Sequence, residues 1–155
     1  MSELSDIRLS YHKGNLFTSE ERVIAHGCNC VGVMGAGFAK GVADLYPIVK
    51  KKYQAAVKAG VFNLGYAQFV LDEENDRCFY NLATQKQPGA NGSPWGVFLA
   101  FSNMFEHAAA NNITRIAMPK IGTGIAKLHW DDVLEKINLA RDVTKYPIHL
   151  AVYEP

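Results

Sequence analysis

The sequence is poor in cysteine, with Cys28, Cys30 and Cys78 as its only three among 155 residues. An odd and small count does not make a disulfide framework and suits a reducing cytosol. It also lacks an excess of either charge. Lys and Arg number 16 against 15 Asp and Glu, a net charge of +1. That argues against a protein that holds nucleic acid through a broad basic surface, although a nucleotide could still be recognised in a pocket. No run of about 18 apolar residues occurs, so no transmembrane helix is expected. The opening stretch MSELSDIRLSYHKG contains no apolar core of a signal peptide, so a cytoplasmic protein is expected. Internal repeats, low-complexity tracts and charge blocks are missing too. Apolar residues are not scarce: 48% of the chain is hydrophobic and 20% charged, which excludes a wholly disordered polymer. The length suits one domain spanning residues 1–155.

The patterns that remain alternate between strands and helices. Ile7–His12, Val23–Cys28, Tyr66–Leu71, Arg77–Leu82, Arg115–Met118 and Ile148–Tyr153 read as strands. Gly37–Tyr46, Ile48–Ala59, Pro94–Asn111 and Trp130–Asp142 read as helices. Pro47 interrupts the first pair, while Ser93 and Pro94 form a cap and first turn for the third helix. In the last helix Val133, Ile137 and Ala140 recur at i, i+4 and i+7. The stretch QKQPGANGSP, residues 85–94, reads as a surface loop. Strands interleaved with helices imply an α/β fold with helices on both faces of a mixed sheet.

In such sheets ligands bind beyond the C-terminal ends of strands. Two loops there are rich in glycine. Residues 29–38, NCVGVMGAGF, follow the strand VIAHGC and open a helix. Residues 119–127, PKIGTGIAK, follow the strand RIAM. Glycine permits positive φ and close approach of a ligand to backbone, and free N–H groups at a helix start favour an anion. Each loop alone is equally a tight strand-to-helix turn. As a pair they can clamp a diphosphate from two sides. Neither is a Walker A loop, because no G-K-[ST] follows, and Lys40 stands where a dinucleotide fingerprint has its third glycine. His26, Cys28 and Cys30 share a strand face, but the H-x-C-x-C run lacks a fourth ligand and the usual spacing of a zinc site. No metal and no cofactor are expected.

The chain resembles the macrodomains, which bind ADP-ribose. The resemblance rests on KGNLF (residues 13–17), IAHGCNCVGVMGAGFA (24–39), YNLATQ (80–85), AMPKIGTGIAKLHWDDV (117–133) and the terminal AVYEP, and it runs from about Ile7 to Pro155. It implies a three-layer α/β/α fold with a central mixed β-sheet. The H-x-C-N-C run followed by M-G-A-G is similar to the branch of ADP-ribose-1″-phosphate phosphatases and terminal ADP-ribose protein glycohydrolases, where commoner macrodomains have N-A-A-N.

The resemblance implies roles for particular residues. Asn15 would accept a bond from the adenine amino group, where many macrodomains have Asp, and Leu16 would pack on the adenine. Asn29 would reach the distal ribose. Gly35, Ala36 and Gly37, followed by Phe38, would wrap that ribose and the diphosphate. Gly122, Thr123, Gly124, Ile125 and Ala126 would hold the diphosphate through backbone amides, and Lys120 and Ile121 just before them would also touch the substrate. Thr84 and Gln85 would also touch the substrate. Tyr153 and Pro155 end the last strand near the adenine, although Tyr153 reads equally as an ordinary half-buried aromatic. His26 and Asn29 are the candidate catalytic residues. His26 is a general acid or base by its ordinary pKa, or alternatively a core histidine. The glycohydrolase pattern has a Lys directly after YxLxT and an Asp two residues beyond the second loop glycine. Here those positions hold Gln85 and Ala126, with Lys86 one place late, and Gln85 cannot form an imine. The expectation is a monomer that binds ADP-ribose or a derivative, touches no membrane, and hydrolyses ADP-ribose 1″-phosphate. The alternatives are a reader that binds without turnover, or a hydrolase that removes ADP-ribose from protein or nucleic acid by other residues.

Overall fold

The computed structural model describes residues 8–155. Ile7, where the sequence reading begins its first strand, lies outside the described residues. Six strands form one sheet: β1 (Arg8–Lys13), β2 (Val23–Asn29), β3 (Ala67–Asp72), β4 (Arg77–Gln85), β5 (Arg115–Pro119) and β6 (His149–Glu154). Four helices join them: α1 (Gly37–Leu45), α2 (Pro47–Lys58), α3 (Pro94–Ala110) and α4 (Trp130–Thr144). The strand order is β1-β6-β5-β2-β4-β3. Every pairing is parallel except β3 with β4, so the sheet is mixed, as expected.

The alternation of side chains along each strand decides the layers. Val23 and Ala25 of β2 share one core with Tyr80, Leu82, Ile116, Met118 and the buried faces of α3 and α4. Their alternates Ile24, Phe79, Ala117 and Ala151 pack against Val42 of α1, Val49 of α2 and Tyr46 at the junction between them. Cys28 and Ala83 continue that second layer toward Tyr53 and Phe62. The central strands β2, β4, β5 and β6 are buried on both faces, and this explains their near-continuous apolar runs.

Helix boundaries have local causes. Ser93 accepts the N–H of Gly96 at 3.0 Å, and Pro94 occupies the first turn of α3. Pro47 separates α1 from α2 and opens the latter because it has no N–H to continue the ladder. A one-turn 3-10 segment, Leu16–Thr18, follows β1 and is capped by the Asn15 side chain. Buried Arg77 ties the segment after it down, donating to the carbonyls of Phe17, Ser19 and Glu21 and to the Tyr46 hydroxyl. Strand β4 runs three residues beyond the sequence reading, to Gln85, because a bulge keeps it paired: Cys28 lies opposite Ala83, yet Asn29 lies opposite Gln85. Thr84 is the extra residue.

Candidate functional site

Strands β6, β5, β2 and β4 are consecutive in the sheet and parallel, so their C-terminal ends line up. A cavity of about 510 Å³ opens along those ends. His26, Asn29, Gly35, Ala36, Gly37, Phe38, Thr84, Gln85, every residue from Lys120 to Ala126, Tyr153 and Pro155 all border it. Asn15 and Leu16 do not. The Asn15 side chain accepts the N–H of Phe17 at 2.9 Å, the self-capping habit of Asn in turns. Leu16 is 3% exposed and packs with Ile24 and Val42, so no face of it is free for an adenine.

The loop after β2 is held by one side chain. Asn29 Oδ1 accepts the N–H groups of Val31 at 3.1 Å and Val33 at 3.2 Å, and its Nδ2 donates to the Val33 carbonyl at 2.9 Å. The buried Tyr53 hydroxyl lies 2.7 Å from both Asn29 Oδ1 and the Asn29 carbonyl and accepts the Gly32 N–H. Further on, Gly37 adopts φ +62 at the start of α1, a conformation that favours glycine. No side chain caps that helix, so its first N–H groups stay open to a ligand at the cavity.

The loop after β5 is held by its own backbone. Thr123 N–H donates to Lys120, Lys127 N–H to Gly124 and Leu128 N–H to Gly122. Gly122 takes φ +84. Gly124 is exposed, and a Cβ there would meet nothing within 4 Å. The two loops approach each other where Ile125 Cδ1 stands 3.3 Å from the position a Gly37 Cβ would take.

Between the loops, His26 is 1% exposed. Its Nε2 lies 2.6 Å from Asn81 Oδ1, and Asn81 Nδ2 donates to Gln68 Oε1 at 2.9 Å. Burial lowers the His26 pKa from 6.5 to about 4, only partly countered by the Asn81 bond. The ring is therefore neutral at physiological pH. Gly27 is required beside it, since a Cβ would fall 2.7 Å from Thr84 Oγ1. Gln85 donates to the carbonyls of Gln87 and Gly89 and so braces the following loop. Lys86 is exposed and outside the cavity lining.

At the opposite end, the Tyr153 ring stacks on His12 with centroids 4.9 Å apart. Its hydroxyl donates to Glu21 Oε2 at 2.7 Å, while Arg115 grips both Glu21 oxygens. That Arg115 bond is the main reason the Glu21 carboxyl sits below its usual pKa. Lys120 is paired with Glu154 at 3.0 Å. The sequence reading missed eight cavity residues: Gly27, Cys28, Val33, Ala39, Pro88, Gly89, Pro119 and Glu154. Glu154 lay in the quoted AVYEP, and the signal was its position on the strand end between two named residues. Among the described residues no three His, Cys, Asp or Glu converge as a metal group, and no helix is long and apolar enough to cross a membrane.

The fold is a three-layer α/β/α arrangement in which two glycine loops face one another over a cavity at the C-terminal strand ends. The chain matches the Macro domain family over residues 25–137 and belongs to it. It is 31% identical over 153 residues to an uncharacterised 17.5 kDa protein of bacteriophage T4, covering 95% of this chain and 97% of that one. It is 27% identical over 132 residues to a DNA ADP-ribosyl glycohydrolase of Mycobacterium tuberculosis, covering 83% of this chain. The match spans only 37% of that longer relative. At 25% identity it is similar to the solved macrodomain of Mycobacterium tuberculosis DarG, with a TM-score of 0.85 over 96% of this chain and 99% of that one. A Thermosipho africanus DarTG structure in complex with ADP-ribose gives 0.82 at 25% identity, over 96% of this chain and 42% of that one. A fungal ADP-ribose 1″-phosphate phosphatase from Lodderomyces elongisporus is 25% identical over 148 residues, 84% of this chain and 92% of that one.

Proposed function

We propose that residues 1–155 act as a single macrodomain that binds ADP-ribose in the cavity and hydrolyses the phosphate of ADP-ribose 1″-phosphate. The observation that carries the reading is the cavity itself: two glycine loops with open backbone amides on either side, a neutral histidine on the wall between them, and no amine at position 85. The diphosphate lies between the loops, held by N–H groups of residues 35–38 and 122–126. The terminal phosphate lies near His26, where the amides stabilise the charge that builds on the transferred group. Water attacks phosphorus, the bond from phosphorus to the ribose oxygen breaks, and inorganic phosphate and ADP-ribose leave. A neutral His26 has a lone pair to accept the water's proton, while the leaving ribose oxygen takes a proton from solvent and His26 then returns its own to solvent. Asn29 acts by holding its loop in shape.

A second reading, removal of ADP-ribose from a nucleic-acid base, draws support from the mycobacterial glycohydrolase among the relatives. An imine intermediate does not suit this chain, because Gln85 stands in the cavity and Lys86 outside it. The deciding experiment measures phosphate release from ADP-ribose 1″-phosphate and ADP-ribose release from ADP-ribosylated single-stranded DNA on one sample, with calorimetric titration of ADP-ribose. Tight binding with no release of either product leaves a reader. Release from DNA alone selects the second reading.

A further inference from the structure

His26 does not stand by itself. It is the cavity end of a row that crosses three neighbouring strands at one level. In the register, His26 of β2 lies opposite Asn81 of β4, and Asn81 opposite Gln68 of β3. The row then leaves the sheet, because Gln68 Nε2 lies 2.9 Å from the backbone carbonyl of Lys52 in α2. Each bond in the row has one possible direction. A backbone carbonyl can only accept, so Gln68 turns its NH2 toward Lys52 and its Oε1 toward Asn81. That oxygen can only accept, so Asn81 presents its NH2 to Gln68 and its Oδ1 to His26. That oxygen in turn can only accept, so the proton of the neutral imidazole sits on Nε2. Nδ1 keeps the ring's single lone pair, and Cys28 Sγ lies beside the ring, 3.9 Å from Nδ1 and 3.7 Å from Nε2.

We infer that Asn81 and Gln68 are positioning residues that set the tautomer of His26, making it a hydrogen-bond acceptor toward the ligand. The carbonyl of Lys52, on the far side of the sheet edge, thereby decides which chemistry a cavity residue can do. A ligand group that meets Nδ1 has to be a donor: a water or a ribose hydroxyl. Neither Asn81 nor Gln68 borders the cavity. Asn81 is fully buried, and Gln68 is half-buried on a strand near the sheet edge.

The inference rests on the proposed function for its kinetic arm only. The test is Gln68→Leu, which removes the acceptor that holds the Asn81 amide in place. Asn81 is then free to turn its NH2 toward His26, which moves the ring proton to Nδ1. Nitrogen NMR of the His26 ring should read Nε2–H in the wild type and a mixed or reversed tautomer in Gln68→Leu. Phosphate release should fall by at least about tenfold, a part of what a positioned acid–base group contributes. Calorimetric affinity for ADP-ribose should change less than about twofold. Adding Asn81→Asp restores an acceptor that has no donor face, so the double variant should regain the Nε2–H signal. An unchanged tautomer in Gln68→Leu, or a double variant that does not recover it, overturns the inference. If the wild type releases no phosphate, the proposed reaction falls and the tautomer measurement still decides the role of the row.

Discussion

The two loops that face each other across the cavity reach the same end by opposite means. The loop after β2 is organised from outside by a side chain: Asn29, buried beneath it, takes two backbone N–H groups and gives one bond back, with Tyr53 behind it. The loop after β5 is organised from within by successive backbone turns. A loop held by one buried amide is brittle, since removing that amide strands several polar groups at once. A loop held by its own turns tolerates side-chain change but not loss of its glycine conformations.

The largest contrast is therefore expected from Asn29→Leu. It leaves the N–H groups of Val31 and Val33 without their acceptor in a partly buried loop. Denaturant unfolding should show a loss of about 2–4 kcal/mol, together with loss of ADP-ribose binding. Thr123→Ala in the other loop removes only a side-chain bond to the Lys120 carbonyl, and about 1 kcal/mol or less is expected. Similar losses for the two would erase the contrast.

Next in size is His26→Ala. Phosphate release should fall by at least about 10²-fold while ADP-ribose affinity moves much less. Loss of both would mark His26 as a core histidine whose removal disturbs the strand. The same residue gives a pH signature. The folded protein keeps His26 neutral down to about pH 4, whereas the unfolded chain protonates it near 6.5. Between those values the unfolded state binds more protons, so stability drops as the pH falls through the window, by about 3 kcal/mol in full. Denaturation midpoints at several pH values should show this drop, and His26→Ala should lack it.

Smaller again is Gly124→Glu. The site is open and exposed, so the fold should be unaffected. The added charge faces the diphosphate and should weaken ADP-ribose by about tenfold, or roughly 1.4 kcal/mol. An unaltered calorimetric affinity would move the diphosphate elsewhere. The smallest effect is none: borohydride in the presence of ADP-ribosylated protein should trap no adduct on Lys86, and mass spectrometry would reveal one if it formed.

How far the sequence discloses this arrangement depends on the distance between partners. Strands and helices are set by patterns within a few residues, so nine of the ten readings agree with the structure to within a residue or two. The exception is β4, where Ala83 continues the register opposite Cys28 and a bulge keeps Thr84 and Gln85 in the sheet. The cavity lining is legible because it is built of contiguous glycine loops. Asn15 and Leu16 fall outside that lining, because a short 3-10 turn uses the Asn15 oxygen for its own cap and buries Leu16 in the core. Partners of His26 were invisible, since Asn81 and Gln68 become its neighbours only through strand register. Nothing local in YNLATQ says which strand face Asn81 will share, or with whom.

The bulge at Thr84 has a consequence for how this site could change its chemistry. One inserted residue puts position 85 opposite Asn29 and leaves position 86 exposed, its carbonyl accepting the N–H of Cys30. The chain thus holds an amine and an amide side by side, one outside the cavity and one on its wall. Exchanging them, Gln85→Lys with Lys86→Gln, keeps composition and net charge the same yet carries a primary amine to the cavity wall. A transposition of two neighbouring letters would then put a nucleophilic amine where the cavity now presents an unreactive amide.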